Sequence, residues 1–342
     1  MIQSEIQKRI LILDGAMGTM IQQLQFSETA FRGEEFANNS VDLKGNNDIL
    51  TLTQPKSIRK IHQAYIEAGA DIIETNTFNS NSISQATYHC SHLAYRLNYE
   101  GAQNARLAIQ ESQTTRKIWI AGSIGPTTLP LSCSSDVKRT AYESITFNQL
   151  TEIYSEQICG LIDGGVDLLL VETVLDSRSA QAALYAIKQI QHNKGTQLPV
   201  MLSATINPEN GHIPSGENLE SLYTAISDYP LFSFGLNCSY GATNLLPFME
   251  EISKFTACYL SVYPNAGLPN AIDTYDETPQ ITASFLAKIA QKGGINIVGG
   301  CCGTTPAHIH CIRQALQHIP PRIPPTIQNQ FSPTHTITNQ IV

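Results

Sequence analysis

Three cysteines in two short segments carry the chemistry that this sequence announces first. The segments are Phe234-Gly235-Leu236-Asn237-Cys238 and Val298-Gly299-Gly300-Cys301-Cys302-Gly303-Thr304-Thr305-Pro306. Each is an apolar, strand-like run that ends in cysteine, so Cys238, Cys301 and Cys302 can converge on one metal ion. Three thiolates select a soft or borderline metal, and zinc is the expected one. Three protein ligands leave a fourth position open, as a catalytic zinc site requires and a closed structural site lacks. Any one of these cysteines alone reads more readily as a buried thiol with no metal. The three together, with glycines around the pair, favour the metal. A bridge between the neighbours Cys301 and Cys302 would need distorted disulfide geometry. A thiol redox role is disfavoured by the lack of a Cys-x-x-Cys motif. Cys90, Cys133, Cys159, Cys258 and Cys311 have no such company and read as small buried or loop thiols. His308 and His310 fall within an expected helix and read as exposed or capping side chains.

Two carboxylates form the second constellation. Asp14 ends the apolar run Leu11-Ile12-Leu13, and Glu172 ends Leu168-Leu169-Leu170-Val171. Carboxylates at such positions can hold an ammonium group through charge-assisted hydrogen bonds. The amides of Gly15 and Ala16 can receive a carboxylate, because Gly15 has no side chain to prevent close backbone approach. An Asp-Gly pair is also a common turn, and a lone buried glutamate is often only structural. Taken with the thiols, the reading is an α-amino acid held at both ends with its side chain aimed at the metal.

Eight apolar runs must position these groups: 10–13, 71–74, 118–122, 168–172, 200–204, 233–237, 259–262 and 295–299. They alternate with stretches of helical period, the pattern of parallel strands joined by crossover helices. Eight such units close a (β/α)8 TIM barrel, whose active site lies on the C-terminal rim of the strands. Residues 57–69 place Ile58, Ile61, Tyr65 and Ile66 on one helical face after a Gln54-Pro55 start. Thr305-Pro306 offers a second capped start, for a helix running to about His318. Glycines punctuate helix ends at Gly69, Gly164-Gly165 and Gly293-Gly294. The barrel is expected over 1–318, and 319–342 reads as a Pro-rich linker or disordered tail. Surplus length goes to a polar excursion at 26–47 and a Thr/Ser/Pro-rich loop at 125–136.

Charge and composition exclude several functions. With 21 basic against 29 acidic residues the net charge is -8, and no Lys/Arg cluster offers a field for nucleic acid or an anionic membrane. A small neutral or zwitterionic ligand fits better. The first residues lack the layout of a signal peptide, no apolar stretch reaches the roughly 18 residues of a membrane span, and eight cysteines are too few for a disulfide scaffold. The expected location is the cytoplasm.

Several stretches resemble the homocysteine S-methyltransferase family, nearest to its branch formed by the N-terminal homocysteine module of cobalamin-dependent methionine synthases. They are Ile12 through Thr19, Gly45 through Asp48, Ala68 through Phe78, Glu172-Thr173, Phe234 through Cys238, Pro264 through Pro269 and Val298 through Pro306. The resemblance implies that Cys238, Cys301 and Cys302 carry zinc. It also implies that Asp14 and Glu172 hold the homocysteine amino group, and that amides near Gly15 and Ala16 hold its carboxylate. Asn265 matches a position near the metal when substrate is absent. The loop Thr127 through Cys133 departs from the usual wording of that branch, which bears on contacts to the methyl donor or a partner module. A free thiol is only a few per cent thiolate at neutral pH, and zinc removes its proton. Methionine formation from homocysteine is therefore the expected reaction, with methylcobalamin and ultimately 5-methyltetrahydrofolate supplied by a cobalamin- and folate-binding partner module or chain. S-methylmethionine or betaine as donor, and a zinc-holding module that binds homocysteine without catalysis, are the alternatives.

Overall fold

The computed structural model describes residues 1–128, 145–268 and 275–325. Cys133, most of the 125–136 loop and the tail beyond 325 lie outside the described residues.

All eight expected runs are strands: β1 Leu11–Ile12, β2 Ile72–Glu74, β3 Trp119–Ile124, β4 Leu168–Val174, β5 Val200–Ala204, β6 Ser233–Gly241, β7 Tyr259–Asn265 and β8 Ile297–Val298. They form one parallel sheet in the order β1-β8-β7-β6-β5-β4-β3-β2. A parallel bridge between Leu13 and Ile72 joins the two ends, so the sheet closes as a (β/α)8 barrel. Asp14 N to Ile72 O at 3.0 Å and Asp71 N to Ile12 O at 2.7 Å seal the same seam.

Alternation along the strands sorts the core into two layers. Leu11, Leu13, Ile72, Trp119, Ala121, Leu168, Leu170, Met201, Tyr263 and Ile297 fill the barrel. Ile2 and Ile6, on the helix Ile2–Ile6 that precedes β1, join this inner cluster and plug the barrel floor. The opposite strand faces, with residues such as Ile73, Leu169, Leu202, Phe234 and Val262, pack against the helices.

Helix boundaries follow local chemistry. The helix Pro55–Ala68 starts on proline and buries Ile58, Ile61, Tyr65 and Ile66. It stops at Gly69, whose φ of 115° is left-handed. The helix Pro306–Leu316 opens with a box in which Thr305 and His308 cap each other. His308 is thus a capping residue; its other ring nitrogen lies 3.1 Å from Glu277 O.

Two ion and hydrogen-bond clusters lock the bottom of the barrel. Buried Asp71 takes Arg9, Arg116 at 3.3 Å and Arg313 at 3.2 Å, and also accepts from Ile12 N at 3.0 Å. Arg322, in the Pro-rich stretch, is buried too. Its guanidinium donates to Cys258 O at 2.8 Å and Thr256 O at 2.9 Å, and its backbone pairs with Ile295 and Asn296. Packed side chains thus continue past residue 318 to Arg322, because its guanidinium finds carbonyl partners under β7 that no local pattern reveals. Among the described residues no helix is long and apolar enough to cross a membrane.

Candidate active site

The C-terminal rim brings the two cysteine segments together. Cys238 lies near the end of β6, where the register against β7 shifts between Cys238 and Gly241. Cys238 and Ser239 take positive φ values of 57° and 63° there, which turns the strand end. Cys301 and Cys302 follow β8 and are tied to β7 by Cys301 N to Pro264 O at 2.7 Å and Ala266 N to Cys302 O at 2.9 Å. Cys302 Sγ stands 4.0 Å from Cys238 Sγ and 3.9 Å from Cys301 Sγ, and all three sulfurs lie within 4.8 Å of one another. Tetrahedral zinc with sulfurs at about 2.3 Å requires sulfur separations of about 3.8 Å, so the donor set fits zinc in kind and in spacing.

Gly303 makes the close turn that follows. Its φ is +80°, and a Cβ there would fall 2.2 Å from the ring of Tyr275, whose phenol stands near the sulfurs and helps hold Cys302 low. Hydrogen bonds from Cys238 and Cys301 pull Cys302 down to about 3, while Cys301 is pushed well up by its hydrogen bonding to Cys238 and Cys302 and by burial. A divalent cation is what would make all three thiolate.

Beside the sulfurs lies a cavity of about 650 Å³. Cys238, Cys301, Cys302, Asp14, Gly15, Ala16 and Glu172 all line it, so those seven expected positions converge. Asp14 Oδ2 accepts from Glu74 N at 3.1 Å, and its Oδ1 is buried without a partner. Glu172 accepts a short hydrogen bond from Ser123 Oγ. Burial raises Glu172 to about 7, and burial with the nearby Glu172 charge raises Asp14 well above the carboxylate range. Among the described lining residues there is no Lys, Arg or His. The cavity therefore suits a ligand that brings its own positive charge.

The turn after Asp14 is packed tightly. A Cβ on Gly15 would lie 2.8 Å from both Thr304 Oγ1 and the Tyr65 ring, so only glycine fits without displacement. The Ala16 amide donates to Thr304 Oγ1 at 3.2 Å, so it already has a partner inside the protein. Asn265 does not line the cavity. It ends β7 as a buried side chain whose Oδ1 has no partner, beside the backbone that holds Cys301 and Cys302.

One device links the two constellations. Thr173, next to Glu172, takes a φ of 56°, a costly conformation for a β-branched residue. Asn237, next to Cys238, holds it there: Asn237 Oδ1 accepts from Thr173 N at 3.0 Å and Nδ2 donates to Thr173 Oγ1 at 2.8 Å. Glu172 and Cys238 are thereby fixed relative to each other. Sequence reasoning did not assign roles to Asn237, Glu74, Ser123, Tyr263 or Tyr275, all of which stand on or just behind the cavity wall. For Glu74 the signal was available, because Ile72-Ile73-Glu74 repeats the apolar-run-then-acid pattern of Asp14 and Glu172.

A parallel barrel with a three-thiol centre and carboxylates on one rim defines a class: (β/α)8 enzymes that work on the C-terminal ends of their strands. Residues 11–316 match the sequence model described as Homocysteine S-methyltransferase, and the chain belongs to that family of methyltransferases. Solved structures agree in fold. The homocysteine methyltransferase MmuM from Escherichia coli in its metallated form superposes with a TM-score of 0.68 at 23% identity, over 91% of this chain and 98% of that one. Its oxidised form gives 0.66 at 23% identity, over 89% and 95%. A B12-independent methionine synthase from Shewanella sp. W3-18-1 in complex with selenomethionine gives 0.50 at 13% identity, over 90% and 96%.

Proposed function

We propose that the protein is a zinc-dependent enzyme that methylates the sulfur of homocysteine to form methionine. The single observation that carries this reading is the convergence of the Cys238, Cys301 and Cys302 sulfurs at zinc spacing on the wall of an acid-lined cavity. Zinc held by the three would supply a Lewis acid that keeps a fourth thiol as thiolate at neutral pH. The chain's own residues do the rest. Asp14 and Glu172 bind the ammonium group, and the backbone amide of Gly15, on the cavity wall, donates to the substrate carboxylate. The Asn237–Thr173 pair fixes the distance between that clamp and the sulfurs, so the bound thiol presents one direction to the incoming methyl group.

For the donor we favour methylcobalamin, recharged from 5-methyltetrahydrofolate on a partner module, because the matched sequence stretches are nearest to that branch. A reducing cytoplasm, which keeps thiols free for a metal, is the compartment this chemistry suits. The test is methionine formation by purified, zinc-loaded protein given homocysteine and, separately, methylcobalamin, S-methylmethionine and betaine. Turnover with methylcobalamin is expected. Turnover only with S-methylmethionine or betaine would replace the donor assignment, and none with any donor would favour a homocysteine-binding module.

A further inference from the structure

The cavity holds one carboxyl group more than a two-carboxylate clamp uses. Glu74 ends β2 and lines the cavity wall. Its main-chain N–H is committed to Asp14, yet among the described residues its own carboxyl group makes no hydrogen bond or ion pair. The titratable groups that face it are Glu172 from β4, Asp14 just after β1, Tyr65 from the helix Pro55–Ala68 and Tyr263 from β7. Each is an acid, so no cation of the protein satisfies it. Glu172 differs in having Ser123 as a donor. Glu74 is half-buried and opens onto the cavity without a donor from the protein, beside Asp14 Oδ1, which is buried and unpartnered. A cationic group bound in the cavity would satisfy both at once. Burial, with the charges of Glu172 and Asp14, pushes Glu74 well above the usual carboxylate range.

We propose that Glu74 is a third ligand-facing carboxylate that cages the substrate α-ammonium together with Asp14 and Glu172, and thereby selects a thiol that carries a free amino group. This assignment rests on the homocysteine reading. Three acids at or just past the ends of β1, β2 and β4 line one cavity, and a ligand with no amino group would leave the Glu74 carboxyl and Asp14 Oδ1 without a partner. Discrimination of that kind is large when the site's buried polar groups are left unpaired by the wrong ligand.

The test uses zinc-loaded wild type and Glu74→Gln, a near-isosteric change that retains shape and removes the charge. Both proteins are titrated calorimetrically with homocysteine and with 4-mercaptobutanoate, which has the thiol and carboxylate but no amino group, and zinc per chain is measured in each. The expected result is that Glu74→Gln binds homocysteine about tenfold or more weakly, the loss of one charge-assisted hydrogen bond. Its affinity for 4-mercaptobutanoate and its zinc content should match the wild type. Equal weakening toward both thiols would make Glu74 a structural residue and overturn the assignment, as would unchanged affinity for homocysteine. If wild type binds neither thiol, the homocysteine reading itself fails and the role of Glu74 falls with it.

Discussion

At the scale of single residues, the site is a balance of buried charge. Replacing Cys238 with alanine leaves two sulfurs, so metal affinity should fall by more than the roughly 10–100-fold that losing an outer-sphere partner costs. Zinc per chain and methionine formation measured on the same sample check this; full zinc content with an undiminished rate would remove Cys238 from the ligand set. Asp48 offers a test of burial without the metal. It is raised to about 6, chiefly by burial, and its carboxyl group accepts from Asn79 N at 2.9 Å and Ser80 Oγ at 2.7 Å. Because its folded pKa lies above the unfolded value, its contribution to stability is fully present below about pH 4 and is lost as pH rises through 6. Asp48→Asn keeps an acceptor for both bonds and does not ionise. In metal-free protein the variant and the wild type should therefore have similar melting temperatures at pH 4. The variant should gain on the order of 1–3 kcal/mol by pH 7. A pH-independent difference would refute the assignment of a buried neutral acid.

At the scale of elements, the ends of β4 and β6 are coupled through one amide. Asn237→Ala would remove both hydrogen bonds to Thr173 and leave its left-handed backbone unsupported. The expected cost is about 2–3 kcal/mol in denaturant unfolding, with weaker zinc retention, because Cys238 and Glu172 lose their common anchor. Unfolding free energy within about 0.5 kcal/mol of wild type would show that the clamp is incidental. The strands themselves were legible in the sequence, since apolar runs of the right length alternate with helical period. Their ends were less so. β4 and β6 run on to Val174 and Gly241, beyond the expected 172 and 237, because the register shifts at Thr173 and Cys238 let pairing resume after the turn. No local propensity signals a bulge that is held in place by a partner strand.

At the scale of the whole molecule, the barrel is locked from beneath as well as closed around. Arg322 joins the Pro-rich segment to carbonyls at Thr256 and Cys258, with Asn296 pairing to its backbone. Relative to truncation after residue 325, truncation after residue 318 should cost about 2–4 kcal/mol by leaving these groups without their charged donor. Equal melting temperatures for the two truncations would show that the anchor contributes nothing.

The sequence by itself determined which groups can do chemistry and roughly where along each strand they fall. Cys238, Cys301, Cys302, Asp14 and Glu172 all close apolar runs, and in a parallel barrel every run ends on the same rim, so their convergence follows from periodicity. Only the tertiary structure decided the contacts that set the site's character. It placed Glu74 unpaired beside the two expected acids, gave the Ala16 amide to Thr304, kept Asn265 off the cavity wall and bound Asn237 to Thr173. The reason is physical. Alternation and capping are local and repeat along the chain. These pairings join residues on strands far apart in sequence, and they depend on angstrom-scale packing around the closed barrel.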